Sequence, residues 1–246
     1  MIDVTVHGAA GRMGRLVTEL VEAADDCTLA GLVVEPGKGQ PAGTLHPTMA
    51  VHGQEHLAAW HPQGGVVVDF SLAPALNGLL EQAAQVEAPL VIGTTGFTEE
   101  QMDLLRDYAN NHPVVLAANF SVGIPAMQML LRLLARTLPK GFDAEQVETH
   151  HSAKKDRPSG TALRLASTWQ DERGGEEVPT HSQRIGGVIG EHSWTLGDEE
   201  ETLVLTHRAH SRRAFLRGVL PAVRFASKAP AGLHGLQDVL QDLAGQ

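Results

Sequence analysis

The sequence has a single cysteine and no long apolar segment, and both shortages restrict what the protein can be. Cys27 has no second cysteine to pair with, so no intrachain disulfide can form, and we expect a reducing, cytoplasmic environment. No apolar run approaches the roughly 20 residues of a membrane-spanning helix. The first residues also lack the basic and then apolar pattern of a secretion signal, because glycines begin at Gly8.

Positive charge is scarce as well. The chain has 19 Lys and Arg residues against 29 Asp and Glu residues, and its formal net charge is -10. This charge disfavours nucleic acid or an anionic membrane as a partner. The histidines are scattered, and the adjacent pair His150-His151 is poorly placed to grip one ion, so we expect no metal site.

The densest group of reactive side chains lies between Glu148 and Ala162. It contains His150, His151 and Lys154, followed by the turn Pro158-Ser159-Gly160-Thr161. Histidine titrates near neutral pH and suits acid–base chemistry, while lysine can hold a carboxylate or donate a proton. This combination indicates a site for a small acidic substrate whose reaction needs a proton.

The turn at 158–161 precedes a run of good helix formers. Ser159 is suited to cap that helix, whose first backbone N–H groups have no partner inside it. Those groups and the helix dipole favour a carboxylate or phosphate, and Gly160 permits close approach. The alternative is an ordinary helix cap without a ligand. Residues 146–150 alternate as in a strand, so His150 and His151 are expected to point to opposite faces.

The N-terminal residues follow the order strand, glycine turn, helix that a dinucleotide-binding fingerprint requires. The strand is expected at 2–6, the turn at 8–14 and the helix at 15–24. Glycines let the backbone approach a pyrophosphate that sits on the helix N-terminus. A second strand at 28–34 ends in Glu35, where the fingerprint places the acid that binds the ribose hydroxyls. Because the spacing is Gly-x-x-Gly-x-x-Gly, a glycine-rich turn without a ligand is the alternative.

Strand and helix signals alternate as far as about residue 121, which predicts a parallel, doubly wound sheet. Thr98 to Gln101 has the form of a capping box at the start of a helix that runs to about Asn110. The loops Gly93-Thr94-Thr95 and Ala118-Asn119-Phe120 follow strands, at the edge where such sheets bind ligands, although either loop can be a plain turn. Further strands are expected at 65–70, 89–92 and 114–116, with a helix at 74–86.

The pattern changes after a helix at about 125–138. Strands are expected at 145–150, 192–196 and 202–207, and helices at 215–226 and 233–240. These signals predict an α/β protein with two domains. A Rossmann-like dinucleotide-binding domain is expected to comprise residues 1–121 and 213–246. A smaller α+β domain with an open mixed sheet is expected to comprise residues 122–212.

The chain resembles the 4-hydroxy-tetrahydrodipicolinate reductase family, also called dihydrodipicolinate reductases, over nearly its whole length. The most specific part is the segment with His150-His151, Lys154, Asp156 and the turn 158–161. The other matching segments are Gly8-Ala9-Ala10-Gly11-Arg12-Met13-Gly14, Val91-Ile92-Gly93-Thr94-Thr95-Gly96-Phe97, Ala117-Ala118-Asn119-Phe120-Ser121-Val122-Gly123 and Gly190-Glu191-His192.

The resemblance implies reduction of 4-hydroxy-2,3,4,5-tetrahydrodipicolinate to 2,3,4,5-tetrahydrodipicolinate, in diaminopimelate and lysine biosynthesis. Hydride comes from NADH or NADPH without a metal, and the second domain binds the substrate and joins a homotetramer. His150 and Lys154 are implied to be catalytic, either one donating the proton. The residues implied to hold substrate are His151, Lys154, Ser159, Gly160 and Thr161. Those implied to line the cofactor are Gly8, Ala9, Ala10, Gly11, Arg12, Met13, Glu35, Gly93, Thr94, Thr95, Ala117, Ala118, Asn119 and Phe120.

Three positions depart from the family pattern. Arg157 replaces an alanine immediately before the turn 158–161, which adds a cation there. Pro36 and Leu72 stand where many members have arginines that bind the 2′-phosphate of NADPH, so we expect NADH to serve at least as well, unless Lys38 substitutes for them. Two other functions fit the residues: a related amino-acid or imine dehydrogenase, or a non-catalytic nucleotide-binding homologue, against which the intact His150 and Lys154 argue.

Overall fold

The computed structural model describes residues 1–34, 51–53, 56–175 and 177–245. The strands described are β1 Ile2–His7, β2 Cys27–Val34, β3 Val51–Gly53, β4 Val66–Asp69, β5 Leu90–Ile92, β6 Pro113–Leu116, β7 Asp143–His150, β8 Thr180–Arg184, β9 Glu191–Gly197, β10 Thr202–Arg208 and β11 Gly232–His234. The α-helices described are α1 Arg12–Glu22, α2 Leu57–Trp60, α3 Leu76–Gln85, α4 Glu99–Ala109, α5 Gly123–Thr137, α6 Gly160–Arg173, α7 Val219–Ala226 and α8 Leu236–Ala244, with short 3₁₀ turns at Ala73–Ala75 and Arg212–Leu216.

The chain forms two compact units. The first comprises Met1–Phe120 and Phe215–Gln246, and the second comprises Ser121–Ala214. In the part of the chain that is described, the first unit has a seven-stranded sheet with the order β11-β6-β5-β4-β1-β2-β3. Every pairing in it is parallel, so the carboxyl ends of these strands share one edge.

The strand β4 shows why this sheet is covered on both faces. Val66 and Val68 are fully buried in one core with residues of α1 and α7, while Val67 is fully buried in another core with residues of α3 and α4. A strand buried on both faces is continuously apolar, as β4 is from Val66 to Val68. The predicted Rossmann-like α/β fold is confirmed. The capping box is also present, with Thr98 Oγ1 accepting from the Gln101 backbone N–H at 3.2 Å.

The second unit contains a four-stranded mixed sheet with the order β10-β9-β7-β8. β7 runs parallel to β8 and antiparallel to β9, and β9 runs antiparallel to β10. The helices α5 and α6 pack on the sheet through an apolar core that includes Leu131, Leu165, Trp169 and Trp194. The open mixed sheet is as predicted, but three strands of the two units, β3, β8 and β11, were not expected from the sequence.

Candidate functional site

The strand β7 places alternate side chains in the interior of the second unit. Gln146, Glu148 and His150 are buried, whereas the residues between them are partly exposed. Alternation along a strand sends every second side chain to the same face. Glu148 and His150 therefore lie side by side on the face that is covered by α6.

The carboxylate of Glu148 is the most heavily bonded group of this site. It is fully buried and accepts hydrogen bonds from Arg184 Nη2 at 2.6 Å and Nη1 at 2.8 Å. It also accepts from the Ser159 backbone N–H at 3.2 Å and from His150 Nδ1. Burial raises the pKa of this carboxyl, but hydrogen bonds from Arg184, Ser182 and His150 outweigh burial and lower it to about 2. Glu148 is therefore ionised at neutral pH.

Two histidine rings meet at right angles beside this carboxylate. The rings of His150 and His192 have centroids 5.3 Å apart and an interplanar angle of 77°. Burial lowers the pKa of His150, although the hydrogen bond to Glu148 opposes that effect. Burial, with smaller contributions from the charges of His150 and His207, lowers the pKa of His192 to about 4. His192 is therefore a neutral ring at pH 7.

The helix α6 begins next to these rings. Its N-cap Ser159 accepts a hydrogen bond from the Ala162 backbone N–H at 3.2 Å, and its hydroxyl lies 3.2 Å from Nε2 of His192. A Cβ built on Gly160 would meet no other atom within 4 Å, so space is open in front of the first turn. No acidic residue occupies that turn. The helix N-terminus is therefore capped on one side and accessible to an anion on the other.

The loop between β7 and α6 carries the candidate lysine. Lys154 Nζ lies 2.9 Å from Asp156 Oδ1, and this contact lowers the pKa of the Asp156 carboxyl. Arg184 Nη2 donates to the Asp156 backbone oxygen at 2.5 Å, so the same arginine supports this loop and Glu148. His151 is half-buried at the start of the loop, and Thr161 is half-buried in the first turn of α6.

The predicted residues of the second unit thus lie within β7, the loop that follows it and the start of α6. Sequence reasoning missed Glu148 and Arg184, which connect them. Glu148 had a signal, because it precedes His150 by two positions on a predicted strand. Arg184 had none, because its approach depends on the pairing of His150 with Arg184 in the register of β7 and β8.

The glycine turn in the first unit is closely packed. Gly8 has φ +78°, and a Cβ there would lie 2.6 Å from the Phe70 backbone oxygen. A Cβ on Gly14 would lie 2.2 Å from the Gly8 oxygen, which is closer than atoms can pack. The backbone N–H groups of Gly8 and Ala9 donate to the Val33 oxygen. Gly8 and Gly14 are therefore both required by the turn from β1 into α1.

The helix α1 begins at Arg12 with Gly11 as its N-cap. Gly11 provides no side-chain hydrogen bond, and the first turn contains no acidic residue. Arg12 is exposed, Ala10 and Met13 are half-buried, and Ala9 is buried in the core. This helix N-terminus suits an anionic group such as a pyrophosphate.

The other predicted cofactor residues have mixed roles. Thr94 is buried, and its hydroxyl donates to Asp69 Oδ2 at 2.6 Å and accepts from the Ser71 backbone N–H at 2.9 Å. Phe120 is fully buried and packs against Phe70, with ring centroids 5.8 Å apart. The side chains of Thr94 and Phe120 therefore hold the edge of the sheet together. The remaining members of these loops are half-buried or exposed: Gly93, Thr95, Ala117, Ala118 and Asn119.

Three residues of the cofactor prediction, Glu35, Pro36 and Lys38, lie outside the described residues. Leu72 is described and is 60% exposed, shortly after the carboxyl end of β4. Within the described ranges, no group of three or more His, Cys, Asp or Glu side chains could hold a metal ion. No helix there is both long and apolar enough to cross a bilayer.

Comparison with known proteins places the whole chain in one family. The family models "Dihydrodipicolinate reductase, N-terminus" and "Dihydrodipicolinate reductase, C-terminus" match residues 2–120 and 123–240. The chain is 40% identical to 4-hydroxy-tetrahydrodipicolinate reductase of Rubrobacter xylanophilus and 35% identical to that of Syntrophus aciditrophicus, in each case over 98% of both chains. It also matches the dipicolinate-bound structure of dihydrodipicolinate reductase from Paenisporosarcina sp. TG-14, with a TM-score of 0.81 and 25% identity over 97% of this chain and 99% of that one. The chain therefore belongs to the dihydrodipicolinate reductase family.

Proposed function

We propose that this protein is a 4-hydroxy-tetrahydrodipicolinate reductase of the diaminopimelate and lysine pathway. It reduces 4-hydroxy-2,3,4,5-tetrahydrodipicolinate to 2,3,4,5-tetrahydrodipicolinate with NADH or NADPH. The observation that carries the proposal is the buried Glu148 carboxylate, which joins the acid–base residue His150 to Ser159, the cap of an accessible helix N-terminus. This combination suits an anionic substrate that must take up a proton, and it occurs in a member of this family.

The first unit fits a nicotinamide dinucleotide. The uncapped start of α1 after Gly11 suits the pyrophosphate, and the residues around it that would hold the cofactor are Gly8 to Met13, Gly93 to Thr95 and Ala117 to Phe120. Thr94 and Phe120 act by shaping the edge, since their side chains are buried. When bound, the reduced nicotinamide supplies the hydride that C4 of the substrate ring accepts after the 4-hydroxyl group leaves as water.

The second unit orients the substrate through its two carboxylates. Ser159, Gly160 and Thr161 present the start of α6 to one carboxylate, and His151 and Lys154 hold the other. Lys154 contacts Asp156, which is 55% exposed, so a substrate carboxylate must compete with a solvated partner. That exchange is inexpensive, because an exposed ion pair contributes only about 0–1 kcal/mol. Rigid orientation of the ring is a large part of what the protein contributes to the reaction.

Proton delivery falls to His150 or Lys154. The lowered pKa leaves His150 mainly neutral at pH 7 when no substrate is bound. A substrate with two negative charges raises that pKa, because a nearby opposite charge favours the protonated ring. Binding of the substrate therefore favours protonation of His150. Lys154 is the alternative donor and is also the cation that neutralises a carboxylate.

The protein is proposed to act in the cytoplasm as a homotetramer assembled through the sheet of the second unit. Support comes from β10, an edge strand on which Val204 is 59% exposed and Leu203 is 40% exposed. Exposed apolar side chains on a sheet edge favour association with another copy. On the face of the sheet that carries Val204, the hydroxyl groups of Ser193 and Thr206 are already paired with one another at 2.8 Å.

A coupled assay tests the activity directly. The substrate is generated by the aldolase that forms it, and loss of the reduced nicotinamide is followed with NADH and with NADPH. Turnover that depends on the aldolase product is the expected result. Turnover of amino-acid or imine substrates alone would favour a related dehydrogenase. Nucleotide binding without any turnover would favour a non-catalytic homologue.

A further inference from the structure

The Glu148 carboxylate connects three separate pieces of the second unit. One oxygen accepts from the Ser159 backbone N–H, and the other accepts from His150 Nδ1. Both oxygens accept from Arg184, which also donates to the Asp156 backbone oxygen. The His150 ring, the N-cap Ser159 of α6 and the loop that carries Lys154 are therefore all held by a single ion pair whose side chains are at most 1% exposed.

The protonation states of this cluster follow from its chemistry. An ionised carboxylate accepts hydrogen bonds but donates none, so the hydrogen between Glu148 and His150 must be carried by Nδ1 of the ring. A neutral imidazole with a hydrogen on Nδ1 has a free lone pair on Nε2. The tautomer of His150 is therefore set by the side chain two positions before it.

We propose that Glu148, clamped by Arg184, is a positioning residue that holds His150 as the Nδ1–H tautomer, so that Nε2 is the nitrogen that exchanges the proton with substrate. This inference rests on the proposed function and deepens it. Wrong orientation or tautomer of a catalytic imidazole is costly even when the ring itself is intact. An ion pair that only stabilised the fold would not select a tautomer or change a pH profile.

Four charged or titratable groups surround the His150 ring. Glu148 favours its protonated form, Lys154 and Arg184 disfavour it, and His192 is neutral near pH 7. Removing the charge of Glu148 therefore leaves burial and the two cations Lys154 and Arg184, which all lower the pKa of His150. The pKa of His150 must fall further, and the reaction should lose its protonated catalyst at a lower pH than in the unaltered enzyme.

The tautomer can be measured in the full-length, unaltered protein. Ring proton and nitrogen resonances are recorded by NMR with isotope-labelled histidine, and His150 is assigned by comparison with His150→Gln. We expect a hydrogen on Nδ1, shifted far downfield by the carboxylate, and none on Nε2 in the neutral ring. A hydrogen on Nε2 would overturn the inference. This measurement needs neither turnover nor a variant of Glu148.

The kinetic test uses Glu148→Gln, with Glu172→Gln as a matched control. Glu172 also forms a bidentate pair with an arginine, Arg136, but it lies near the end of α6 that is remote from Ser159. Glu148→Gln should lower kcat at least roughly tenfold, with KM changed less than about threefold, and should move the basic limb of the kcat profile to lower pH. Glu172→Gln should retain both the rate and the profile of the unaltered enzyme.

A double variant covers the risk that Glu148→Gln fails to fold, because it leaves the buried Arg184 without its counter-charge. Glu148→Gln/Arg184→Met removes both charges together and should show a smaller shift in the same direction. Either altered enzyme with an unshifted profile and near-normal kcat would overturn the inference while leaving the proposed function intact. If the unaltered protein does not reduce the substrate, the proposed function fails, and the NMR measurement still decides the tautomer.

Discussion

At the scale of single residues, substitution of His150 or Lys154 is expected to lower the rate of the chemical step without weakening cofactor binding. His150→Gln and Lys154→Ala should each lose at least roughly a hundredfold in kcat, the low end for a general acid. Cofactor affinity should be retained, because both residues belong to the second unit and the glycine turn belongs to the first. Steady-state kinetics and nucleotide titrations of the purified variants measure the two effects.

Nearby residues provide matched controls for these substitutions. His181 is an exposed histidine on β8, 59% accessible and 3.4 Å from Glu145, and Lys155 is an exposed lysine next to Lys154. His181→Gln and Lys155→Ala should keep near-normal turnover. If His150→Gln or Lys154→Ala behaves as its control does, that residue has a role in binding or folding and not in proton transfer.

The sequence indicates candidate reactive residues more readily than it indicates the buried contacts that hold them in place. His150 and the Ser159 cap follow from local patterns, because residue type and spacing along the chain are enough to recognise them. The contact of Arg184 with Glu148 joins residues on paired strands, and no local pattern encodes it. Thr94 and Phe120 show the opposite difficulty, since the motifs that contain them do not reveal that their side chains are buried.

At the scale of elements, the start of α6 should discriminate between acids by their number of carboxylates. Pyridine-2,6-dicarboxylate should compete with substrate, while picolinate should compete at least tenfold less well. One charged hydrogen bond is lost with the second carboxylate, which costs about 1.5–3 kcal/mol. Inhibition constants measured at saturating NADH test the difference. Equal inhibition would mean that α6 is capped but does not bind a carboxylate.

Thr161→Val tests the same helix start by altering the protein and not the ligand. The variant loses one hydroxyl donor and should raise KM with little change in kcat, because the lost contact is equally strong in the ground and transition states. Ser167→Ala removes an exposed hydroxyl farther along α6 and serves as the control. A fall in kcat at unchanged KM would contradict this role for Thr161.

Helices and central strands were predictable because their apolar periodicity is strong. Three strands were missed, β3, β8 and β11, and the last two lack that signal for different reasons. β8 reads Thr-His-Ser-Gln-Arg and has no apolar residue, so only its pairing with β7 makes it a strand. β11 has three residues and is defined by its pairing with β6. In both cases tertiary context decides the conformation and not intrinsic propensity.

At the scale of the whole molecule, charge should influence the choice of cofactor. The carboxylate of Glu35, the predicted ribose-binding acid, should repel the additional 2′-phosphate of NADPH, and Leu72 leaves an exposed apolar side chain where a cation could offset it. We expect NADH to serve at least as well as NADPH. A tenfold advantage for NADPH in kcat/KM, about 1.4 kcal/mol, would contradict this expectation. Leu72→Arg should improve use of NADPH, whereas Leu104→Arg on α4 should not.

Assembly is the second expectation at this scale. Val204→Glu places a charge on the exposed face of β10 and should dissociate the proposed tetramer, because like charges then meet where apolar surface was buried. Sedimentation analysis of the unaltered and variant proteins measures the change. Leu133→Glu, at an exposed position on α5, is the control. A monomeric unaltered protein would refute the assembly outright.

The hydrogen bond from the Phe120 N–H to the Phe215 oxygen, 2.9 Å long, has a consequence for how such a chain can diversify. The chain leaves the first unit after Phe120 and re-enters it at Phe215. This hydrogen bond therefore joins the two positions between which the whole second unit is inserted. Doubling the length of an inserted flexible segment costs only about 0.6 kcal/mol of closure entropy. We therefore expect the sheet of the first unit to retain its fold when the segment between these two residues is replaced, so that a new substrate specificity could be acquired by exchanging one continuous stretch of gene.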